Sequence, residues 1–243
     1  MNAVETATSL GNINLTLIWR VKKQVMYLYE VDADAVAHFV PPSLEMIEVR
    51  PGRALFAVEA LHYHTGHFGK PDSPEFYEAV FTIAVQPDLS VPMPVPRFCM
   101  HAVAVISDSE DFCAQEHRLL HTPTELVPGL TMEFTADGAS CIMKDGDQLI
   151  IDMKNTAGGV QFEPKKLYGQ YYTNTKGLQH GLWTWQGQMF EHQKVGDYGV
   201  IGDHPFWKGL DLRRVRGCYR QMVAKPDLVT EVHFFHRGLT KQS

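Results

Sequence analysis

Hydrophobic positions along this chain fall mostly into short runs with a period of two, the spacing of strands whose alternate side chains share a face. Val25 to Val31 reads as one such strand, rich in Tyr and Val. Asp32 or Asp34 then caps a short helix through Val40, with Val36, Phe39 and Val40 on one side, and Pro41-Pro42 stops it. Leu44 to Val49 and Ala54 to Tyr63 are the next two strands. Between them Arg50-Pro51-Gly52-Arg53 has Pro early and Gly late, as a tight turn requires, so the pair reads as a hairpin. His64 to Glu75 is a loop, Tyr77 to Val85 another strand, and Pro87 to Pro96 a rigid proline-rich connector.

The stretch from His101 to Gly129 changes character partway along. Ala102 to Ile106 is a buried strand that breaks at Ser107-Asp108, two residues suited to capping a helix N-terminus. Asp108, Glu110 and Asp111 place negative charge in the first turn, where the helix dipole favours it. Glu116, His117, Arg118 and His121 follow, and Pro123 ends the helix. Two readings stand side by side: a strand running into a site rich in ionisable groups, or an ordinary solvated helix with one apolar side.

Leu130 to Ala136, Ser140 to Lys144 and Gln148 to Lys154 form three antiparallel strands, the last two joined by the hairpin turn Asp145-Gly146-Asp147. Gly158 to Gly181 reads as irregular, and Gly181 to His192 as strand-like. In Asp211 to Ala224 the positions Leu212, Val215, Tyr219, Met222 and Val223 follow helical spacing, and Pro226 closes that element. Val229 to Phe235 alternates as a final strand. The sum is nine or ten strands and three helices without βαβ alternation. It predicts an α+β protein, mostly antiparallel β, with a few peripheral helices. A single domain over 1–243 is the simplest account, with 1–12 as a flexible tail.

Composition narrows the function classes. A net charge of −6 with interspersed Lys and Arg offers no basic field for nucleic acid. No run approaches the roughly 20 apolar residues of a membrane span. Met1 to Asn12 lacks the charged flank and apolar block of a signal peptide, which points to the cytoplasm. Cys99, Cys113, Cys141 and Cys218 form no C-x-x-C pair and read as buried thiols rather than a disulfide frame or zinc ribbon.

Three groups of residues could carry chemistry. His62 and His64 lie two apart, hence on one face of a strand, and His67 follows; they read as pocket or loop histidines, and no metal site is expected. Glu59 and Glu78 each interrupt an apolar strand, Ala57-Val-Glu-Ala-Leu61 and Phe76-Tyr-Glu-Ala-Val80. A carboxyl on a buried face has its pKa raised by desolvation and can act as acid or base. Lys165-Lys166 is an adjacent ammonium pair that burial would turn into a nucleophile, and a solvated loop otherwise.

Several stretches, in order, resemble acetoacetate decarboxylase-like proteins. They are Tyr29-Glu-Val-Asp-Ala-Asp34 with Phe39-Val-Pro-Pro-Ser-Leu-Glu-Met46, Phe56 to Gly66, Ser107-Asp108 with Ala114-Gln-Glu116, and Gly202-Asp-His-Pro-Phe206 through Leu212. The likeness spans residues 24 to 224. It implies a cone-like β-barrel or double sheet, a homo-oligomer, no cofactor and a small carbonyl or carboxylate substrate. In that family a lysine in a Pro-Lys-Lys-Leu motif forms a Schiff base with the ketone. Here the corresponding residues are Pro123-Thr124-Glu125-Leu126, so neither lysine is present, and Gln115 stands where the family has arginine.

The resemblance makes Glu78 the counterpart of a family active-site glutamate, and places Glu59 two residues from another. A family arginine on the first strand falls near Lys22 or Lys23. The expected site therefore has Glu78, Glu59, Glu125 and His121 as acid–base groups, with Lys23, His62, His64, Glu116 and Thr124 holding substrate. The expected activity is lyase-like: enolisation, dehydration, cyclisation or decarboxylation of a small keto acid or polyketide-like carbonyl compound, without a Schiff base. Two alternatives remain: a Schiff-base lyase using Lys144, Lys165 or Lys166, and a barrel that binds a small acid without chemistry.

Overall fold

The computed structural model of this protein describes residues 6–8, 11–13, 15–65, 72–86, 98–117, 124–136, 140–154, 160–162, 167–174, 177–186, 189–192, 200–207, 216–224 and 228–236. Side chains are described within 19–65, 72–86, 99–117, 124–136, 140–154 and 200–207.

In chain order the strands are β1 (Thr6–Thr8), β2 (Gly11–Ile13), β3 (Leu15–Asp32), β4 (Glu48–Arg50), β5 (Arg53–Tyr63), β6 (Phe76–Ala84) and β7 (Phe98–Ser107). Next come β8 (Thr124–Leu126), β9 (Leu130–Phe134), β10 (Cys141–Asp145), β11 (Gln148–Met153) and β12 (Val160–Phe162). The last are β13 (Leu167–Asn174), β14 (Gly177–Gln186), β15 (Met189–His192), β16 (Val200–Ile201), β17 (Arg216–Ala224) and β18 (Leu228–His236). Helix is confined to α1 (Ala33–Val36), continued as a tighter turn through Phe39, to α2 (Glu110–Gln115), and to one turn at Pro205–Trp207.

A twelve-stranded sheet runs in the order β12-β15-β17-β3-β18-β14-β13-β7-β6-β5-β4, with β8 joined to β7. Its length depends on β3, whose 18 residues pair with β18, with β17 and, from Val21 to Asp32, with β5. The pairing is mixed, because β7 runs parallel to both β13 and β8. A separate four-stranded sheet, β16-β11-β10-β9, covers one face of the larger one. Val58, Ala60, Ala79, Phe81 and Ile83 meet Leu130, Met132, Met143, Ile150 and Trp207 there in one apolar core. On the opposite face, Met26, Leu28, Leu55, Ala57, Leu61, Val80, Val105 and Phe112 form a second core. Strands β5 and β6 are thus buried on both sides, which is why their sequences are almost continuously apolar.

The short-range signals hold well. Gly52 and Gly146 adopt positive φ at the two turns, a conformation glycine reaches without steric cost. The structure is mostly strand, with a few short helices, as the alternation predicts. Of the expected cone-like barrel or double sheet, the structure presents the double sheet, mixed rather than wholly antiparallel. No helix among the described residues is long and apolar enough to cross a membrane.

Four expectations are corrected. Of the helix expected over Asp211 to Ala224, the described part, Arg216–Ala224, is strand β17, held between β15 and β3; residues 211–215 lie outside the described residues. Register shifts at Arg216/Cys218 and Cys218/Arg220 break the strand's alternation, so no clean period of two marks it. Pairing on both edges then overrides the local pattern. Gly158 to Gly181, expected to be irregular, contains β12, β13 and the start of β14; Gly169 and Gly181 sit inside paired strands instead of breaking them. The expected count of nine or ten strands becomes eighteen among the described residues, and part of the expected tail pairs as β1 and β2. Finally, Ser109 is the N-cap of α2, accepting from the Phe112 N–H at 3.2 Å. The Ser107 hydroxyl donates to the Tyr77 carbonyl at 2.6 Å, and Asp108 accepts from the Tyr77 N–H at 2.8 Å. The two residues expected to cap the helix therefore latch the turn onto β6, one residue from Glu78. The proline-rich connector lies outside the described residues.

Candidate active site

Register decides which polar side chains meet. On β5 and β6 the paired residues Leu61 and Glu78 share a face, as do Glu59 and Val80. Extending each row, Gln24, Leu61, Glu78 and Ser107 align across β3, β5, β6 and β7. In the neighbouring row Met26, Glu59, Val80, Val105 and Thr124 align, ending on β8. Both rows lie on the face away from the four-stranded sheet. Glu59, Glu78, Gln24 and Thr124 thus belong to one surface built by five strands. Three strand spacings separate Glu59 from Thr124, roughly 14 Å on a flat sheet and less on a concave one.

These groups are deeply buried: Glu59 is 6 % exposed, Glu78 9 %, Thr124 3 % and Gln24 0 %. The Gln24 amide donates to Glu59. The Tyr63 hydroxyl donates to Glu78 Oε2 at 2.5 Å. Burial pushes the Glu59 carboxyl up to about 8, reinforced by the nearby Glu78 charge and opposed by the Gln24 bond. Burial likewise raises Glu78 to about 7, against the Tyr63 bond. Among the described residues, no positive charge contributes to either shift. Near pH 7 the pair therefore holds one proton on Glu59 and shares Glu78 between acid and base forms. Burial raises the Tyr63 phenol well above its usual value, with Glu78, Glu59 and Glu116 adding to the shift. Tyr63 remains a proton donor in hydrogen bonds throughout the neutral range.

Aromatic side chains close one end. Tyr63 stacks on Phe76 at 4.6 Å between ring centroids, Phe76 lies 5.0 Å from Phe112, and Trp19 lies 6.4 Å from both Tyr63 and Phe112. Three polar atoms on these residues and their neighbours are buried without a hydrogen-bond partner: Trp19 Nε1, Gln24 Oε1 and Thr124 Oγ1. Unpaired buried polar atoms are costly, and a fold keeps them where a ligand or water completes them.

The expected site residues divide accordingly. Glu59, Glu78 and Thr124 lie on one buried face of the sheet. Glu116, buried at the end of α2, adds its charge to the Tyr63 environment. Glu125 is corrected: it pairs with Ile106 on the other face of the sheet and is exposed. Lys23 and His62 are corrected too, because they pair with each other on the face opposite Gln24 and Leu61. Lys23 lies 5.7 Å from the Phe134 ring centroid, and His62 contacts Glu75 at 2.8 Å. His64 does not share a strand face with His62, since β5 ends at Tyr63. Lys144 lies on β10 in the four-stranded sheet, paired with Glu133. His121, Lys165 and Lys166 lie outside the described residues. Sequence reasoning missed Gln24, Tyr63 and Trp19. Tyr63 had a usable signal, four positions from Glu59 on the same strand face, whereas Gln24 required the β3–β5 register.

No family model matches the chain, and no curated protein sequence matches it. Solved structures do. An acetoacetate decarboxylase aligns over 89% of this chain and 85% of its own, with a TM-score of 0.55 and 13% identity. The enduracididine biosynthesis enzyme MppR aligns over 97% and 94%, with a TM-score of 0.57 and 12% identity. MppR is also known as a complex with the condensation product of pyruvate and imidazole 4-carboxaldehyde. An acetoacetate decarboxylase-like enzyme from Sphingomonas wittichii RW1 aligns over 94% of both chains, with a TM-score of 0.52 and 11% identity. The chain has the acetoacetate decarboxylase-like fold.

Proposed function

We propose that this protein is a divergent enzyme of the acetoacetate decarboxylase-like fold that moves protons next to a carbonyl group without forming a Schiff base. The observation that carries this reading is the buried Glu59–Glu78 pair on the same face as Thr124, which the sequence resemblance sets opposite a family lysine. A threonine cannot form an iminium, so electrons released at the α carbon must pass to the carbonyl oxygen itself.

Two carboxyls with separated proton affinities suit that task. Glu78, half ionised at neutral pH, removes the α proton, and the C–H electron pair becomes the enolate double bond. Glu59, still protonated, donates its O–H to the developing enolate oxygen, where a buried donor acts strongly. Return of the proton to carbon completes enolisation. Departure of a β-hydroxyl or closure onto a second carbonyl would give the dehydration or cyclisation expected from the sequence. The neighbours support the substrate class, a small keto acid or related carbonyl compound, since one is an acetoacetate decarboxylase and another holds a product made from pyruvate.

The test is direct. In D₂O, the protein should exchange the α hydrogens of carbonyl substrates as followed by proton NMR, and Glu78→Gln should lose that exchange. Unchanged exchange in Glu78→Gln would remove this reading. Borohydride trapping of a lysine adduct with a β-diketone would replace it with the Schiff-base alternative.

A further inference from the structure

The hydrogen bond from Tyr63 to Glu78 is held at both ends by groups that take no part in it. On β5 the Tyr63 side chain is buried and stacks on Phe76, with Phe112 at 6.3 Å and Trp19 at 6.4 Å between ring centroids. Phe76 and Phe112 pack on each other at 5.0 Å, so the phenol is braced by rings that are themselves braced. On β6 the Ser107 hydroxyl and the Asp108 carboxylate grip the backbone of Tyr77, the residue before Glu78.

The two carboxyls have partners of different character. At 2.5 Å the Tyr63 hydroxyl sits at the short end of the range for an O–H donor on a charged carboxylate, and such a donor favours the ionised form. Glu59 instead accepts an N–H from the Gln24 amide. The carbonyl oxygen of that same amide is buried and unpaired, and it is an acceptor for a Glu59 O–H. Gln24 can therefore serve Glu59 in either form, whereas Tyr63 favours the anion at Glu78. Among the described residues, the other titratable groups around the bond are Cys113 on α2, Glu116 at its end and Asp108 before it. Burial pushes the Cys113 thiol up to about 11, which keeps it neutral at pH 7. Charge on Glu78 holds the proton on Glu59, so a donor fixed to one carboxyl decides the order in which the two ionise.

We infer that Tyr63 is the positioning residue that sets this order: its braced phenol makes Glu78 the carboxyl that ionises first, and therefore the base, and leaves the proton on Glu59. This rests on the reading of the Glu59–Glu78 face as the reacting centre, and it assigns the direction of proton flow across that face.

Carbon-13 NMR of the glutamate side-chain carboxyls, run on the full chain across the neutral range, tests it, with Glu59→Gln and Glu78→Gln assigning the two signals. In the natural chain Glu78 should titrate before Glu59. In Tyr63→Phe, which keeps the ring and its packing, Glu78 should titrate about one to two pH units higher. The ionised fraction of Glu78 at pH 7 then drops, and α-hydrogen exchange should fall about five- to fiftyfold, in kcat and not in KM. Glu59 ionising first in the natural chain overturns the inference without any Tyr63 variant. So does a Glu78 titration that Tyr63→Phe leaves in place, or a loss of exchange that appears only as a higher KM with an unmoved pH profile. A shifted Glu78 in Tyr63→Phe with no exchange by the natural chain would sink the proton-transfer reading and leave Tyr63 as the group that orders the pair.

Discussion

Strands β5 and β6 present two faces that are almost equally buried and chemically opposite. Toward the four-stranded sheet they show Val58, Ala60, Ala79, Phe81 and Ile83, each 1 % exposed or less. Toward the other side, from the same backbone, they show Glu59, Glu78 and Tyr63, at most 9 % exposed. Along these residues the first face is packed with apolar side chains. The second keeps two carboxyls out of water with no cation among the described residues acting on either, which a stability-optimised sheet would replace with apolar residues. It escapes most of the charge-burial penalty by keeping protons that exposed carboxyls would lose. Burial is thus the same physical condition on both faces; on one it makes a core, on the other it tunes acids.

The sharpest way to break that contrast is to delete one group from each face. Glu78→Gln keeps shape and should reduce α-hydrogen exchange by about 10²–10⁴-fold, the usual weight of a positioned acid–base group. Its unfolding free energy at pH 7 should equal or exceed the parent's, because Gln has no proton to release on unfolding. Phe81→Ala, on the face packed against Phe206 and Trp207, should do the converse. It should cost about 3–5 kcal/mol in denaturant unfolding and leave the pH dependence of the surviving activity unchanged. If Phe81→Ala shifted that pH dependence, the two faces would not be independent.

Protons give a second, smaller handle. Both carboxyls have folded values above the ordinary 4.5, about 8 for Glu59 and about 7 for Glu78. Below pH 4.5 folded and unfolded chains are both protonated there, and the folded state has its full contribution. As pH rises from 4.5 toward 7 and then 8, the unfolded chain loses protons that the folded chain keeps, so stability falls. The slope should be about 1.4 kcal/mol per pH unit for each carboxyl. Glu59→Gln removes one of the two, so its stability should fall less steeply over pH 5–8, exceeding the parent at pH 8. Chemical denaturation at four or five pH values measures this; parallel curves for parent and variant would mean Glu59 is ionised in the fold.

How much of this could be read from residues alone follows from what each feature depends on. Glu59 and Glu78 stood out because a carboxyl inside an apolar run is visible without any partner strand. Gly52 and Gly146 marked their turns because turn chemistry is local. Strand β17 was misread because its alternation is bent by two register shifts that only the neighbouring strands reveal. Lys23 and His62 were placed with the wrong face for a related reason. They belong to strands correctly identified, but a face is assigned only once β3 and β5 are in register, and β3 carries a shift between Val21 and Lys23. Alternation tells which residues share a side; pairing tells which side is the site.

Thr124 and Glu125 show that rule at its narrowest, two adjacent residues that the sequence offered as equal partners in the site. Strand β8 is three residues long and pairs in parallel with β7, which sets Thr124 beside Val105 and Glu125 beside Ile106. Val105 belongs to the core on the carboxyl face, Ile106 to the core on the other. A slip of one residue would exchange them and bring a third carboxyl onto the face of Glu59 and Glu78. Glu125→Gln should therefore change α-hydrogen exchange by less than about twofold and stability by no more than about 0.5 kcal/mol, as an exposed substitution does. A tenfold loss of exchange in Glu125→Gln would mean that β8 is paired one residue out of this register, and would put Glu125, not Thr124, at the reacting carbonyl.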